Sequence, residues 1–270
     1  MMGNLEQSYL FRIHPTVRKN KQVGDIMMLS DYIKLNKSDI ISFVGAGGKT
    51  TMMFKLAEEI RQNNKVLVTT TTKIYIPLDD KYEFICTDSK ELSSFIAKKE
   101  NGIYIIGLGV NSENKILGLS CKQLDELAPH FGYVLIEADG SKKKQLKGWN
   151  EFEPVIYDKT TKTVGIIDIQ SVGMVINEQS VHRSEIFCEI TGAKEGDTVK
   201  LEYLLKLIVH PKGMFKAAQG EKILYINKVE EPNDLILARS LVDEINLNPK
   251  KLIDKVFIGS LKTDVYINNP

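Results

Sequence analysis

One stretch of the 270-residue chain decides its fold: Ile41-Ser42-Phe43-Val44-Gly45-Ala46-Gly47-Gly48-Lys49-Thr50-Thr51. The apolar run at residues 40–44 is typical of a buried parallel strand. Residues 51–60 follow the glycines, and their apolar side chains recur at helical spacing, which predicts an amphipathic helix with one buried face, formed by Met53, Leu56, Ala57 and Ile60. A strand, a glycine loop, a Lys-Thr pair and a helix in that order predict a phosphate-binding P-loop.

The residue types of this loop suit a nucleotide phosphate with a magnesium ion. Backbone N–H groups from Gly45 to Thr51 are expected to converge where the helix dipole favours an anion, and glycine lets the backbone approach closely. Lys49 is predicted to pair with the β- and γ-phosphates, and the Thr50 hydroxyl to ligate Mg²⁺. Phe43 stands where the common G-x-x-x-x-G-K-[ST] motif has its first glycine. The shorter Gly-x-x-Gly-Lys-Thr form is similar to the Mur-ligase loop, and the alternative is a glycine turn without a ligand.

The composition is that of an ordinary globular protein, with 43% hydrophobic and 26% charged residues. A net charge of +1 does not favour a nucleic-acid partner. Cys86, Cys121 and Cys188 lie far apart, so we expect packing roles rather than a disulfide framework or a zinc ribbon. This cysteine pattern fits a reduced compartment, so we expect a cytoplasmic protein. Because no apolar run has the length of a membrane span, we expect no membrane partner.

A second predicted strand, residues 65–68, runs into Thr69-Thr70-Thr71-Thr72-Lys73. Ligands of open α/β sheets lie at the carboxyl ends of the strands, which makes Thr71, Thr72 and Lys73 candidates for phosphate contacts. The simpler interpretation is that β-branched threonines favour a strand.

A third predicted strand ends in Glu137-Ala138-Asp139-Gly140, which is typical of a Walker B or D-x-x-G element. Asp139 is therefore predicted to hold Mg²⁺ directly or through water and, with Lys49, to be catalytic. An ordinary Asp-Gly turn is the alternative. The basic run 141–147 follows, in which Lys142 is a candidate clamp on phosphates or on an anionic substrate; otherwise the run is a solvated loop.

A later strand ends in Asn227-Lys228-Val229-Glu230, which resembles the guanine-reading N-K-x-D element of GTPases. Asn227, Lys228 and Glu230 are therefore predicted to contact the base. Because glutamate is one methylene longer than aspartate, GTP and ATP both stay open. The adjacent His182 and Arg183 are candidates for substrate contacts, and an exposed surface pair is the alternative.

These elements predict an α/β fold, a mainly parallel sheet flanked by helices and similar to P-loop NTPases. Residues 1–26 are predicted to be a peripheral arm, and residues 27–270 a single nucleotide-binding domain. We also expect Ser30 to cap a short helix, residues 103–109 and 115–119 to form a hairpin, and the lone Trp149 to be a packing residue.

Six strings carry a resemblance to one family: Gly45-Ala46-Gly47-Gly48-Lys49-Thr50-Thr51, Thr69-Thr70-Thr71-Thr72-Lys73, Glu137-Ala138-Asp139-Gly140, Glu153-Pro154, Val181-His182-Arg183 and Asn227-Lys228-Val229. Together they resemble the YqeC family, accessory proteins of selenium-dependent molybdenum hydroxylases. The resemblance runs from about Met28 to the C-terminus. It implies a role in hydroxylase maturation, with a molybdenum hydroxylase or its cofactor as the partner.

Three functions fit these observations. The first is a P-loop NTPase whose hydrolysis drives a conformational change during hydroxylase maturation. The second is a Mur-ligase-like ligase, or a nucleotidyl or phosphoryl transferase, that acts on a pterin-type cofactor. The third is a nucleotide-sensing module that binds without turnover.

Overall fold

The structure is a computed structural model, and it describes residues 27–268. Seven helices are named here: α1 Leu29–Ile33, α2 Lys49–Ile60, α3 Leu92–Ala97, α4 Cys121–Leu127, α5 Ser184–Thr191, α6 Leu201–Val209 and α7 Pro232–Asn246. The strands are β1 Ile40–Gly45, β2 Lys65–Thr70, β3 Lys73–Tyr75, β4 Phe84–Cys86, β5 Gly102–Ile106, β6 Lys115–Leu117, β7 Tyr133–Glu137, β8 Leu146–Lys147, β9 Lys162–Asp168, β10 Val181–His182, β11 Glu221–Asn227, β12 Lys255–Ser260 and β13 Val265–Asn268.

Nine strands form the main sheet, in the order β13-β12-β11-β9-β1-β7-β2-β5-β4. Neighbouring strands are parallel except at the edge, where β13 is antiparallel to β12. The chain leaves β1 towards β2 on one side and later crosses to β9 on the other. In open α/β sheets the crevice above such a reversal is where ligands bind. The predicted α/β fold class is confirmed, and β1 lies at the reversal.

Helices cover both faces of the sheet, which explains why its strands are apolar on both sides. On one face, Met52, Met53 and Leu56 of α2 pack with Phe43 and the α1 side chains. On the other face, α5, α6 and α7 form a second cluster with β9, β11 and β12. β1 therefore packs on both faces, with Val44 in one cluster and Phe43 in the other, whereas α2 packs on the Phe43 side.

The predicted hairpin is only partly present. β5 lies in the main sheet, parallel to both β2 and β4, because its apolar run is buried on both faces. The residues after β5 do turn back: Leu108 N–H donates to Leu117 O at 3.0 Å, and Leu117 N–H donates to Gly109 O at 2.9 Å. β6 then pairs with β3 as a separate antiparallel ribbon.

Two smaller expectations are wrong. Ser30 lies inside α1 rather than at its cap, and its N–H and that of Leu29 donate to the Glu59 carboxylate at 2.8 and 2.9 Å. A side chain of α2 thus accepts the hydrogen bonds of the first N–H groups of α1.

Cys121 is exposed and is not a packing residue. The predicted arm at residues 1–26 lies outside the described residues. No described helix is long and apolar enough to cross a membrane.

Candidate nucleotide site

The glycine loop after β1 is packed against the ends of β9 and β11. Gly47 has φ +80°, and a Cβ there would lie 2.5 Å from Asp168 Cβ. Gly48 has φ +144°, and a Cβ there would lie 2.5 Å from Asn227 Nδ2. Both the backbone conformation and the space therefore require glycine at these positions.

Lys49 begins α2, and its ammonium group is buried beneath the loop. Its Nζ donates to Gly45 O at 2.7 Å and lies 3.2 Å from Asp139 Oδ1 and 4.0 Å from Glu137 Oε1. Burial alone would lower the pKa of Lys49, but the two carboxylates outweigh burial and raise it. Lys49 is therefore a protonated cation, held at the first turn of α2 by Gly45 O and Asp139.

The two carboxylates at the end of β7 have different surroundings. Glu137 faces the cleft and accepts a hydrogen bond from the Thr50 hydroxyl at 2.6 Å, and burial raises its pKa. Asp139 is fully buried behind the loop, where its Oδ2 accepts from Gly45 N–H at 3.1 Å and from Trp149 Nε1–H at 2.6 Å. Burial would raise the pKa of Asp139, but the nearby lysines and these donors lower it. Asp139 thus fixes the loop and Lys49.

A chain of charges continues from Asp139 to the start of α5. Lys147 is fully buried, 3.2 Å from Asp139 Oδ2, and donates to Glu153 Oε2 at 2.8 Å. Arg183 donates to both oxygens of Glu153, at 2.6 and 3.0 Å. Burial opposes ionisation of Glu153, but Arg183 and Lys147 lower its pKa to about 2. Neighbouring side chains of opposite charge thus connect Lys49 with Arg183 through Asp139, Lys147 and Glu153.

The sequence predicts little of this network of charges. The basic run that contains Lys147 is expected either to clamp an anion or to be a solvated loop, Trp149 is expected to pack, and the side chain of Glu153 has no predicted role. Lys147 belongs to the interior because Asp139 and Glu153 neutralise it there. For Glu153 itself, the signal in the sequence is the resemblance string Glu153-Pro154.

Some residues of the threonine run at the end of β2 hold neighbouring segments together, and others line the cleft. Thr70 Oγ1 donates to Glu137 O at 2.6 Å, and Thr71 Oγ1 donates to Val155 O at 2.6 Å. Thr72 and Lys73 line the cleft. Thr71 therefore ties two loops together and does not line the cleft.

The Asn-Lys segment after β11 closes the other end of the site. Asn227 Nδ2 donates to Gly47 O at 2.7 Å, and its Oδ1 accepts from Tyr225 OH at 3.1 Å and Leu261 N–H at 3.2 Å. Lys228, at φ +63°, forms an ion pair with the buried Asp168. Asn227 thus connects the glycine loop to the turn after β12.

Glu230 lies at the same end of the cleft. Its carboxylate accepts from Ser260 Oγ at 3.1 Å and from Lys262 Nζ at 3.2 Å. A carboxylate has about four lone-pair sites, so these two contacts leave acceptor capacity towards the cleft.

One cleft of about 1390 Å³ unites most of the predicted residues. Its lining includes Gly47, Gly48, Lys49, Thr50, Thr51, Thr72, Lys73, Lys142, His182, Arg183, Asn227, Lys228 and Glu230. Gly45, Ala46, Thr71 and Asp139 do not line it. Burial, with Arg183 and Lys147 nearby, lowers the pKa of His182 to about 4, so this imidazole is neutral at pH 7.

The donor set at the head of α2 fits one magnesium ion that keeps most of its waters. The Thr50 hydroxyl and the Glu137 carboxylate both line the cleft, whereas Asp139 is buried and already engaged. Within residues 27–268, no group of three or more His, Cys, Asp or Glu side chains could hold a metal. Mg²⁺ commonly uses one or two protein oxygens plus substrate phosphates, which is compatible with this set.

Comparison with known proteins agrees with the motifs. The family model described as YqeC protein matches residues 41–185, more than half of the chain. The "Uncharacterized protein YqeC" of Escherichia coli (strain K12) is 29% identical over 228 residues, covering 83% of this chain and 88% of the relative. No solved structure matches the chain. The chain belongs to the YqeC family.

Proposed function

We propose that the cleft binds a nucleoside triphosphate, GTP or ATP, with Mg²⁺, and that the protein hydrolyses it to assist the maturation of selenium-dependent molybdenum hydroxylases. The observation that carries the nucleotide proposal is the position of Lys49. Its buried ammonium group stands at the N-terminus of α2, beside a loop that tolerates only glycine at two positions. Backbone N–H groups, the helix dipole and a cation at one point favour a polyphosphate.

In this proposal each residue has a defined task. Lys49 exchanges its contact with Gly45 O for phosphate oxygens, and Asp139 keeps Lys49 positioned and charged. Thr50 and Glu137 hold Mg²⁺ directly or through water. When bound, Mg²⁺ would neutralise negative charge that develops on the phosphates during hydrolysis. Asp139 thus acts through Lys49, and the metal-holding carboxylate is Glu137.

The opposite end of the cleft is proposed to receive the base. Asn227, Lys228 and Glu230 all line it, and Asn227 links this end to Gly47 by a direct hydrogen bond. A base bound here would have its phosphates over the glycine loop, since β11 lies two strands from β1. The role in hydroxylase maturation is supported by the family membership and the shared motifs.

A second candidate is a ligase or transferase, favoured by the size of the cleft. A cavity that holds one drug-sized ligand is about 300–1,000 Å³, and this cleft exceeds that range. Transfer to an acceptor would make turnover depend on a second substrate, whereas a nucleotidase would release phosphate with nucleotide alone.

The test measures binding of GTP, ATP and CTP with Mg²⁺, followed by phosphate release, on the wild type and on Lys49→Ala. We expect Lys49→Ala to weaken binding about 10- to 150-fold, which corresponds to the loss of about 1.5–3 kcal/mol of charged hydrogen bonding. The matched control is Lys55→Ala, also on α2, whose side chain pairs with Asp264 outside the cleft. Circular dichroism and urea unfolding of each variant verify that the fold is kept.

The outcomes separate the candidates. Tight binding with slow release supports the NTPase, and the preferred base tests the assignment of Asn227 and Glu230. Binding without release from nucleotide alone fits both the sensing module and the ligase or transferase. Turnover that begins when a pterin-type acceptor is added supports the ligase or transferase, and its absence supports the sensing module. Equal affinity of wild type and Lys49→Ala for every nucleotide would exclude the glycine loop as the phosphate site.

A further inference from the structure

We propose that the cleft contains a second anion-binding subsite, formed by Lys73, Lys142 and Lys143, that takes the phosphate group of a small-molecule phosphomonoester. The proposal rests on the proposed function in one respect: the nucleotide occupies the glycine loop and leaves this end of the cleft free. It names the class of the second substrate.

The order of the strands separates this subsite from the base end, the end of the cleft around Asn227 and Glu230 that is proposed to receive the base. Asn227 follows β11, the glycine loop follows β1, Lys142 and Lys143 follow β7, and Lys73 begins β3 just beyond β2. In the sheet these strands stand in the order β11-β9-β1-β7-β2. The glycine loop therefore lies between the base end and the three lysines, so a nucleotide can extend from the base end towards them.

The three ammonium groups have no carboxylate partner in the part of the chain that the structure describes. Five other cations of the cleft are paired with carboxylates: Lys49 with Asp139, Arg183 with Glu153, Lys115 with Glu113, Lys228 with Asp168 and Lys262 with Glu230. Lys144 donates instead to the carbonyl oxygens of Glu178 and Val181. Lys73, Lys142 and Lys143 are exposed and line the cleft together. They are therefore available to an incoming anion.

The three lysines lie near one another on one side of the cleft. Lys115 is the main cause that lowers the pKa of Glu113, and the charges of Lys73 and Lys142 lower it further. Lys143 Nζ lies 4.3 Å from the centre of the Tyr75 ring, which belongs to the same ribbon as Lys73. The ribbon of β3 and β6 and the loop after β7 thus form one basic wall.

The backbone of this loop is held in a conformation that lysine rarely adopts. Lys142 and Lys143 are consecutive and have φ +50° and +62°, both in the left-handed region. Their neighbours anchor the loop: Lys144 donates to Glu178 O, and Gln145 Nε2 donates to Asp168 Oδ2 at 3.1 Å. Strained residues maintained by their surroundings are typical of ligand clamps. Among the described residues, Lys142 and Lys143 thus combine a left-handed backbone with ammonium groups that have no carboxylate partner.

A phosphomonoester fits this wall by charge and by size. Its phosphate group carries nearly two negative charges and three acceptor oxygens, which suits several ammonium donors. The cleft is larger than one drug-sized ligand requires, so a second small molecule has room beside the nucleotide.

The experiment uses the full chain loaded with Mg²⁺ and a non-hydrolysable triphosphate analogue, with inorganic phosphate as the probe in calorimetry at fixed ionic strength. We expect saturable phosphate binding that is at least tenfold weaker in Lys142→Ala/Lys143→Ala. The control double variant, Lys122→Ala/Lys250→Ala, removes two exposed lysines outside the cleft and should bind phosphate like the wild type. Acetate should not displace phosphate.

The readouts distinguish the two proposals. Nucleotide binding without saturable phosphate binding would overturn the subsite, as would equal phosphate affinity in both double variants or equal displacement by acetate. If no nucleotide binds, the proposed function fails. In that case phosphate binding is compared, without nucleotide, between Lys49→Ala and Lys142→Ala/Lys143→Ala. Binding that is kept in Lys49→Ala and lost in Lys142→Ala/Lys143→Ala supports the subsite, and any other pattern overturns it.

Discussion

The two ends of the cleft are held together by different interactions. At the end around Lys49, proposed for the phosphates and called here the phosphate end, Lys49, Asp139, Lys147 and Glu153 neutralise one another in or near the interior. At the end around Asn227, proposed for the base and called here the base end, the neutral amide of Asn227 connects the glycine loop with the strand β11 and the turn after β12. The buried carboxylate of this end, Asp168, is paired with Lys228, whose side chain is about a third exposed to solvent. Buried charges are costly when a partner is removed, whereas neutral hydrogen bonds are individually modest. Removing a partner should therefore destabilise the phosphate end more than the base end.

The largest effect is expected for Asp139→Asn, which keeps the shape of the side chain and removes its charge. Lys49 and Lys147 would stay buried with less compensation, so we expect the free energy of unfolding to fall by about 3–5 kcal/mol. Urea unfolding at pH 7 measures it. Asp243→Asn, at an exposed position on α7, is the control and should change stability by less than about 0.5 kcal/mol. A loss below about 1 kcal/mol for Asp139→Asn would show that the lysines do not depend on this carboxylate.

A smaller loss is expected for Asn227→Ala at the other end. The substitution removes hydrogen bonds to Gly47 O, Leu261 N–H and Tyr225 OH, and it leaves buried polar groups without partners. We expect a loss of about 1–3 kcal/mol in the free energy of unfolding, compared by urea unfolding with the exposed Asn233→Ala on α7. A larger loss than that of Asp139→Asn would reverse the comparison between the two ends.

Local patterns in the sequence predicted the elements that carry the site. The apolar run of β1, the glycines and the helical spacing of Met53, Leu56 and Ala57 were enough to predict strand, loop and helix, because each signal is confined to neighbouring residues. The strands before Asp139-Gly140 and Asn227-Lys228 are predicted for the same reason, although β7 ends at Glu137, two residues before Asp139. What these strand ends contact depends on the order of strands in the sheet, and no local pattern contains that order.

Glu137 and Asp139 show most clearly what a local sequence pattern does not predict. Residues two apart on a strand share a face, but β7 ends at Glu137, so the alternation no longer applies to Asp139. Asp139 turns inward because Gly45, Lys147 and Trp149 supply donors there. Those partners come from two separate segments, the end of β1 and residues 147–149. The burial of Lys147, inside a run that reads as solvated, follows from the same pairing.

The smallest effect, and the one that depends on pH, is expected for Glu153→Gln at the outer part of the phosphate end. The folded pKa of Glu153 is depressed from its ordinary value of 4.5 to about 2, since Arg183 and Lys147 outweigh its burial. The ionised form therefore adds stability that is fully present above pH 4.5 and is lost as the pH falls towards 2. Because this side chain touches solvent, we expect Glu153→Gln to be only about 1–2 kcal/mol less stable than the wild type at pH 7.

That difference in stability should shrink steadily between pH 4.5 and 2 in urea unfolding. The exposed Glu244→Gln on α7 should show no such difference at any pH. If the difference in the free energy of unfolding between Glu153→Gln and the wild type is as large at pH 2.5 as at pH 7, then Glu153 stabilises the fold through packing and not through its charge.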